Sequence, residues 1–142
     1  MQSKAFLFAL VASIFWGLAP IFGKLGLVKV EPTVALTLRS FVISFVLLVW
    51  VITTGNLNDL YSLVTSKSGI FIAAEGIFAS LLGHLAYYYA VKYGDVSKMT
   101  PVVSSFPLIT VILAILFLGE KFTFTKLIGA ILIIAGVLFI KK

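Results

Sequence analysis

The stretch PTVALTLRSFVISFVLLVWVITT, residues 32–54, decides the fold class. After its opening Pro32 it carries one charge, Arg39, among Val, Leu, Ile, Phe, Trp, Ala and small hydroxyl residues. An α-helix rises about 1.5 Å per residue, so a run of this length covers the ~30 Å hydrocarbon core of a bilayer. Its apolar residues are continuous rather than alternating, which selects a spanning helix over a barrel strand. Four further stretches read the same way. The predicted spans lie near Lys4–Gly26, Pro32–Thr54, Gly69–Val91, Met99–Leu118 and Phe122–Ile140. The expectation is an all-α integral membrane protein, a single domain over residues 1–142 with five transmembrane helices. An odd number places the two termini on opposite sides of the membrane. It also leaves a half-sized unit that needs a partner to enclose a pathway.

Composition points the same way. The chain is 61% hydrophobic and 11% charged, with a mean hydropathy of +1.19. A soluble domain keeps roughly a quarter of its residues charged, so there is too little polar surface here to clothe a globule in water. The first partner is membrane lipid, and the expected location is the cell (cytoplasmic) membrane, crossed several times. The net charge of +6 comes from lysines clustered at helix ends, where they snorkel to headgroups; nucleic acid is not an expected partner. There is no cysteine, which removes disulfides and thiolate metal sites. Ala5–Phe15 after Lys4 resembles a signal-peptide core, but the apolar run continues to about Gly26 without a small-x-small cleavage site.

Helices 1 and 2 are joined by the short Val28–Pro32 link and form an antiparallel pair, with Pro32 suited to a first helical turn. Gly55-Asn56-Leu57-Asn58-Asp59 is a loop signal, and a short interfacial turn is expected around Leu60–Val64. Tyr87, Tyr88, Tyr89 and Tyr93 fall where an aromatic belt belongs. The charge balance across the membrane is nearly even. Lys4, Lys67, Lys121 and Lys126 lie on one side; Lys24, Lys29, Lys92, Lys98, Lys141 and Lys142, with Arg39 if it snorkels that way, lie on the other. Such a balance permits both insertions.

Glu75 is the sharpest chemical signal. It lies about 9 Å into helix 3, at hydrocarbon depth, where ionisable groups face a cavity or a partner. It is the proton-coupling candidate, against the plainer role of partner to Arg39 or a lysine. His84 follows on the same helix. At about 100° per residue it lies half a turn from Glu75, so the two are expected on opposite faces. No second ligand sits one turn from His84, so no metal site is expected. Arg39 must snorkel or meet an anion, with Glu31 and Glu75 as candidates, and a structural ion pair or an anion contact is its expected role. Thr33, Thr37, Ser40 and Ser44 give helix 2 a polar stripe, suited to bonding a neighbouring helix or lining a path. Pro20, Pro101 and Pro107 are helix-break candidates, and Thr100, Ser104 and Ser105 lie beside carbonyls that the helix 4 prolines free. Interrupted helices often form transporter binding sites. Ser13 and Gly17, Gly76 and Ala79 or Ser80 and Gly83, and Gly129 and Gly136 form small-residue stripes for close helix packing. No nucleophile–base pair or phosphate-cradling glycine loop is present, so neither an enzyme nor a cofactor is expected.

Trp16-Gly17 followed by Lys24 resembles the first helix of an EamA domain, and Arg39-Ser40-Phe41 its second-helix arginine. Tyr88 and Ala90 before Gly94, then Pro101, Pro107, Leu118-Gly119-Glu120, Gly129 and Gly136, look like the second half of the same domain. The resemblance spans the whole chain and is to the drug/metabolite transporter superfamily. It implies an integral membrane carrier for small metabolites, often an exporter of amino acids or related compounds. Typical members carry ten helices in two such domains of opposite orientation, whereas this chain carries one EamA-like repeat unit. Small multidrug resistance relatives answer the same problem with antiparallel dimers. Glu120 looks like the family's loop glutamate, which suggests capping or an ion pair with Lys121 or Lys126. Glu75 and His84 match no standard family position and rest on the physical argument alone.

The leading expectation is therefore a secondary transporter subunit for a small-molecule substrate, working as an antiparallel, dual-topology homodimer that rebuilds the inverted repeat. Trp16, Glu75, His84, Tyr88, Ser104 and Ser105 are the substrate-pathway candidates. The alternatives are a non-transporting membrane subunit of a heteromeric complex with an inverted five-helix homologue, and a multidrug exporter of lipophilic cations.

Overall fold

The computed structural model describes the backbone of residues 2–141 and the side chains of residues 4–140. Lys142 and the Lys141 side chain, both counted in the charge balance, lie outside the described residues. The elements run α1 (Gln2–Gly26), α2 (Pro32–Thr53), α3 (Leu57–Val64), α4 (Lys67–Glu75), a π-helical segment (Gly76–Gly83), α5 (His84–Tyr93), α6 (Val96–Val103), α7 (Pro107–Phe117) and α8 (Phe124–Lys141). Lys4–Gly26, Pro32–Thr53, Lys67–Tyr93 and Val96–Phe117 are long and apolar enough to cross a membrane, and Phe124–Ile140 is a shorter apolar helix. The protein is an all-α multi-pass membrane protein, with four full spans and a fifth at the short end of spanning length.

The chain divides after Lys92 into two compact units. In the first, α2 starts where Glu31 is extended (φ −69°, ψ 131°) and Pro32 takes the first turn. It stops at Gly55, whose φ of +76° is a conformation that only glycine adopts cheaply. There the Asn56 N–H donates to the Val51 carbonyl at 3.0 Å and the Gly55 N–H to Ile52 at 3.2 Å, which satisfies carbonyls at the helix end. The eight-residue α3 fills the expected interfacial turn, with Leu57, Tyr61 and Val64 exposed. Ser66 then caps α4: its Oγ accepts from the Gly69 N–H at 3.1 Å. That cap starts the third span at Lys67, two residues ahead of the sequence expectation. Leu27, Leu36 and Val91 are buried at 2%, 4% and 1% exposure, beside buried Pro20 and Pro32. They lie on α1, the α1–α2 link, the start of α2 and the end of α5, the elements that Lys24 and Lys92 tie together.

In the second unit α6 gives way at residues 104–106 to turns, and Pro107 opens α7. Helix continues through Pro101, as it does through Pro20 in α1. Gly119, at φ +66°, turns the chain out of α7. The Lys126 ammonium reaches the Glu120 carboxylate at 2.8 Å and the Lys121 carbonyl at 3.1 Å, so the loop glutamate forms one of its two anticipated ion pairs. Among the described residues of this unit, Ala114 is buried. Most other large apolar side chains, among them Phe6, Phe45, Trp50, Phe117 and Phe139, are exposed. That is an arrangement only lipid or further protein tolerates.

Candidate functional site

The polar organisation of the first unit has three parts. At one end of the spans a latch ties α5 to the α1–α2 link. Lys24 donates from Nζ to the Val91 carbonyl at 2.7 Å and to the Lys92 carbonyl at 3.3 Å. The last carbonyls of a helix have no partner within it and carry its negative dipole end, so an ammonium there is doubly favourable. Lys92 in turn donates to the Val30 carbonyl at 3.1 Å and lies 3.5 Å from the Glu31 carboxylate. The Tyr89 hydroxyl donates to the other Glu31 oxygen at 2.6 Å. Glu31, considered from sequence as a partner for Arg39, is thus engaged by Tyr89 and Lys92.

The second part lies further into the span. The Arg39 guanidinium stands over the Tyr88 ring, 6.0 Å from its centroid, within the range of a cation–π contact. His84 lies one turn before Tyr88 on α5. Its Nδ1 faces the Ala79 carbonyl at 2.9 Å. That carbonyl belongs to the π-helical segment, where wide turns shift the backbone bonding pattern. The third part is a groove of about 340 Å³ bounded by Thr33, Thr37, Ser40 and Ser44 of α2, with Leu81 and Leu85 opposite. The hydroxyl stripe therefore faces open space as well as the third span. Thr37 also returns its hydroxyl to the Thr33 carbonyl at 2.8 Å.

The π-helical segment alters one relation expected from sequence. Eight residues bonded i→i+5 turn less per residue than an α-helix, and the lag accumulates to on the order of 100°. The half-turn between Glu75 and His84 assumed uniform α geometry, so it does not hold. Glu75 ends α4, is exposed, and has no ion pair among the described residues. Trp16 is 68% exposed on α1. No hydrogen bond or ion pair among the described residues links either of them to the Arg39–Tyr88 pair. Ser104 and Ser105 lie in the break between α6 and α7, in the second unit, where Ser105 Oγ donates to the Val102 carbonyl at 2.6 Å. Among the described residues no three His, Cys, Asp or Glu side chains converge on a metal position. What sequence reasoning missed is the latch. Its signal is the spacing of Tyr89 and Lys92, one helical turn apart, which is equally consistent with two interface residues.

Comparison with known proteins gives a consistent answer. Residues 3–141 match the model of the EamA-like transporter family. An uncharacterized transporter in the cobO 3′ region of Sinorhizobium sp is 30% identical over 132 residues, covering 93% of this chain and 92% of that one. An uncharacterized protein of Methanocaldococcus jannaschii is 29% identical, covering 98% and 97% of the two chains. An uncharacterized transporter of Clostridium kluyveri is 29% identical over 91% of this chain but only 41% of its own length. No solved structure matches.

Proposed function

The chain belongs to the EamA-like transporter family, and from that premise we propose that it is one subunit of a secondary transporter that pairs with an inverted copy of itself in the cytoplasmic membrane. The observation that carries this reading is one of length. The same unit makes up nearly the whole of two relatives and less than half of a third, so it serves both as a chain in itself and as part of a longer one. Two inverted copies in one membrane would supply what the longer arrangement supplies by gene fusion: a pathway near the midplane, opened alternately to either side by rocking. The near-even lysine balance supports insertion in both senses. The substrate class is small metabolites such as amino acids, moved outward, as the family resemblance implies.

The test is the location of the C-terminus in cells, read with paired reporters active on opposite sides of the membrane. Comparable signal from both reporters supports dual insertion and the antiparallel homodimer. Signal from one side alone excludes that dimer and turns the search to a separate chain of opposite orientation.

A further inference from the structure

We propose that Arg39, held over the Tyr88 ring, is the contact for a carboxylate on the transported solute. The inference rests on the carrier reading above and adds to it the chemical class of the solute at a named residue.

Arg39 lies roughly 10 Å along α2 from Pro32 and is half-buried. It stays charged at any working pH. A fixed charge at that depth is costly and calls for a partner, yet none of the chain's nearby acids serves. Glu31 is engaged by Tyr89 and Lys92. Glu75 lies on the same helix as Tyr88 but on the order of 20 Å along it, beyond the combined reach of two side chains. His84 supplies no negative charge, and its Nδ1 is occupied at the Ala79 carbonyl. Among the described residues no hydrogen-bond acceptor meets the guanidinium. The Tyr88 ring holds it in place through its π face and leaves its N–H edges unused.

That combination is a positioned but unsatisfied fork. The guanidinium presents parallel donors whose spacing matches the two oxygens of a carboxylate. Arg39 is only half-buried, so its guanidinium edge is accessible from outside the unit. The depth suits capture as well: Tyr88 is one turn inward of Lys92 and its latch, so an anion entering from that edge meets Arg39 just below the polar surface. The same oxyanion chemistry could be met by the phosphate of an anionic lipid, and the experiment separates the two sources.

The experiment measures thermal unfolding of the purified protein in neutral detergent, for the parent, Arg39→Gln and Arg39→Lys. Each of the twenty amino acids is titrated against its own carboxamide, and phosphatidylglycerol is titrated separately. At least one acid should stabilise the parent while its carboxamide does not. Arg39→Gln should weaken that binding at least tenfold. Arg39→Lys, which keeps the charge and loses the fork, should fall between. Should Arg39→Gln not fold, Arg39→Lys against the parent carries the comparison. The inference is overturned if no acid binds, if a carboxamide binds as well as its acid, or if the Arg39 variants keep the parent's affinity. It is also overturned if only phosphatidylglycerol stabilises the protein and Arg39→Gln removes that effect. Equal transport of the stabilising acid by parent and Arg39→Gln would remove this contact while leaving the carrier itself intact.

Discussion

Replacing Lys24 with methionine isolates the latch that closes the α1–α5 end of the first unit. Methionine keeps the length of the apolar stem beside Leu27, so the substitution removes charge and donors rather than packing. The shorter bond, Nζ to the Val91 carbonyl at 2.7 Å, joins a charged donor to the last turn of α5. Such bonds contribute about 1.5–3 kcal/mol. The helix-end dipole adds about 0.3–1 kcal/mol, and the 3.3 Å bond to Lys92 adds little at that length. Lys24 is half-buried and Val91 is 1% exposed, so solvent screens the pair less than it would a surface contact. The expected loss is about 2–4 kcal/mol. Unfolding of the detergent-solubilised protein by increasing mole fraction of SDS, followed by Trp16 and Trp50 fluorescence, reads it as a fall in midpoint at unchanged slope. Lys24→Arg should recover part of the loss, since a guanidinium also donates to carbonyls. A Lys24→Met shift below about 0.5 kcal/mol, within the scatter of ordinary surface substitutions, would show that the latch does not hold this end together.

Three other substitutions probe separate features. A Cβ at Gly69 would run into the Leu63 carbonyl, so Gly69→Ala should lose about 1–3 kcal/mol in the same titration, whereas Gly17→Ala, which meets open space, should not destabilise; equal effects would refute the close approach of α3 and α4. Gly129 of α8 also faces open space within the chain, so Gly129→Leu should leave monomer stability within about 0.5 kcal/mol. If α8 packs against a second copy, the same change should raise the dimer dissociation constant at least tenfold by fluorescence energy transfer in liposomes, and an unchanged constant removes α8 from the interface. Glu75→Gln should abolish proton-driven substrate accumulation in proteoliposomes while sparing exchange, and a variant that builds and dissipates gradients like the parent is not using Glu75 as its shuttle.

The spans were legible because continuous apolar length is a one-dimensional signal, and bilayer thickness sets its scale. Their ends were less so. Ser66 capping through Gly69 moves the third span's start to Lys67, and a serine among turn residues does not announce which helix it caps. The π-helical segment was invisible: Gly76–Gly83 has an apolar composition that fits an α-helix equally well, so the phase between Glu75 and His84 was read on the wrong pitch. Arg39 illustrates the other limit. Its need for a partner follows from charge and depth alone. That Tyr88 meets it while Glu31 turns to Tyr89 and Lys92 depends on how α2 and α5 are placed, and three consecutive tyrosines offer no sequence rule for choosing among them.

The polar groups of the first unit divide by whether the unit satisfies them. Those at the edge, Lys24, Glu31, Tyr89 and Lys92, find one another. Those along the spans do so only in part: Thr37 returns its hydroxyl to the Thr33 carbonyl, but the stripe from Thr33 to Ser44 borders open space, and Arg39 and Glu75 have no ion pair among the described residues. Lipid covers the exposed phenylalanines and leucines at no cost, but hydrocarbon has neither donor nor acceptor to offer a hydroxyl stripe or a guanidinium. A cover with polar groups of its own would therefore suit these faces better than hydrocarbon. A second copy of the same chain brings a matching stripe of threonine and serine, and a solute with a carboxylate brings the charge that Arg39 lacks. On the proposed reading the unit's polar groups are completed by what joins it, which suits alternating access: contacts strong enough to hold each state, and satisfied by partners that can move.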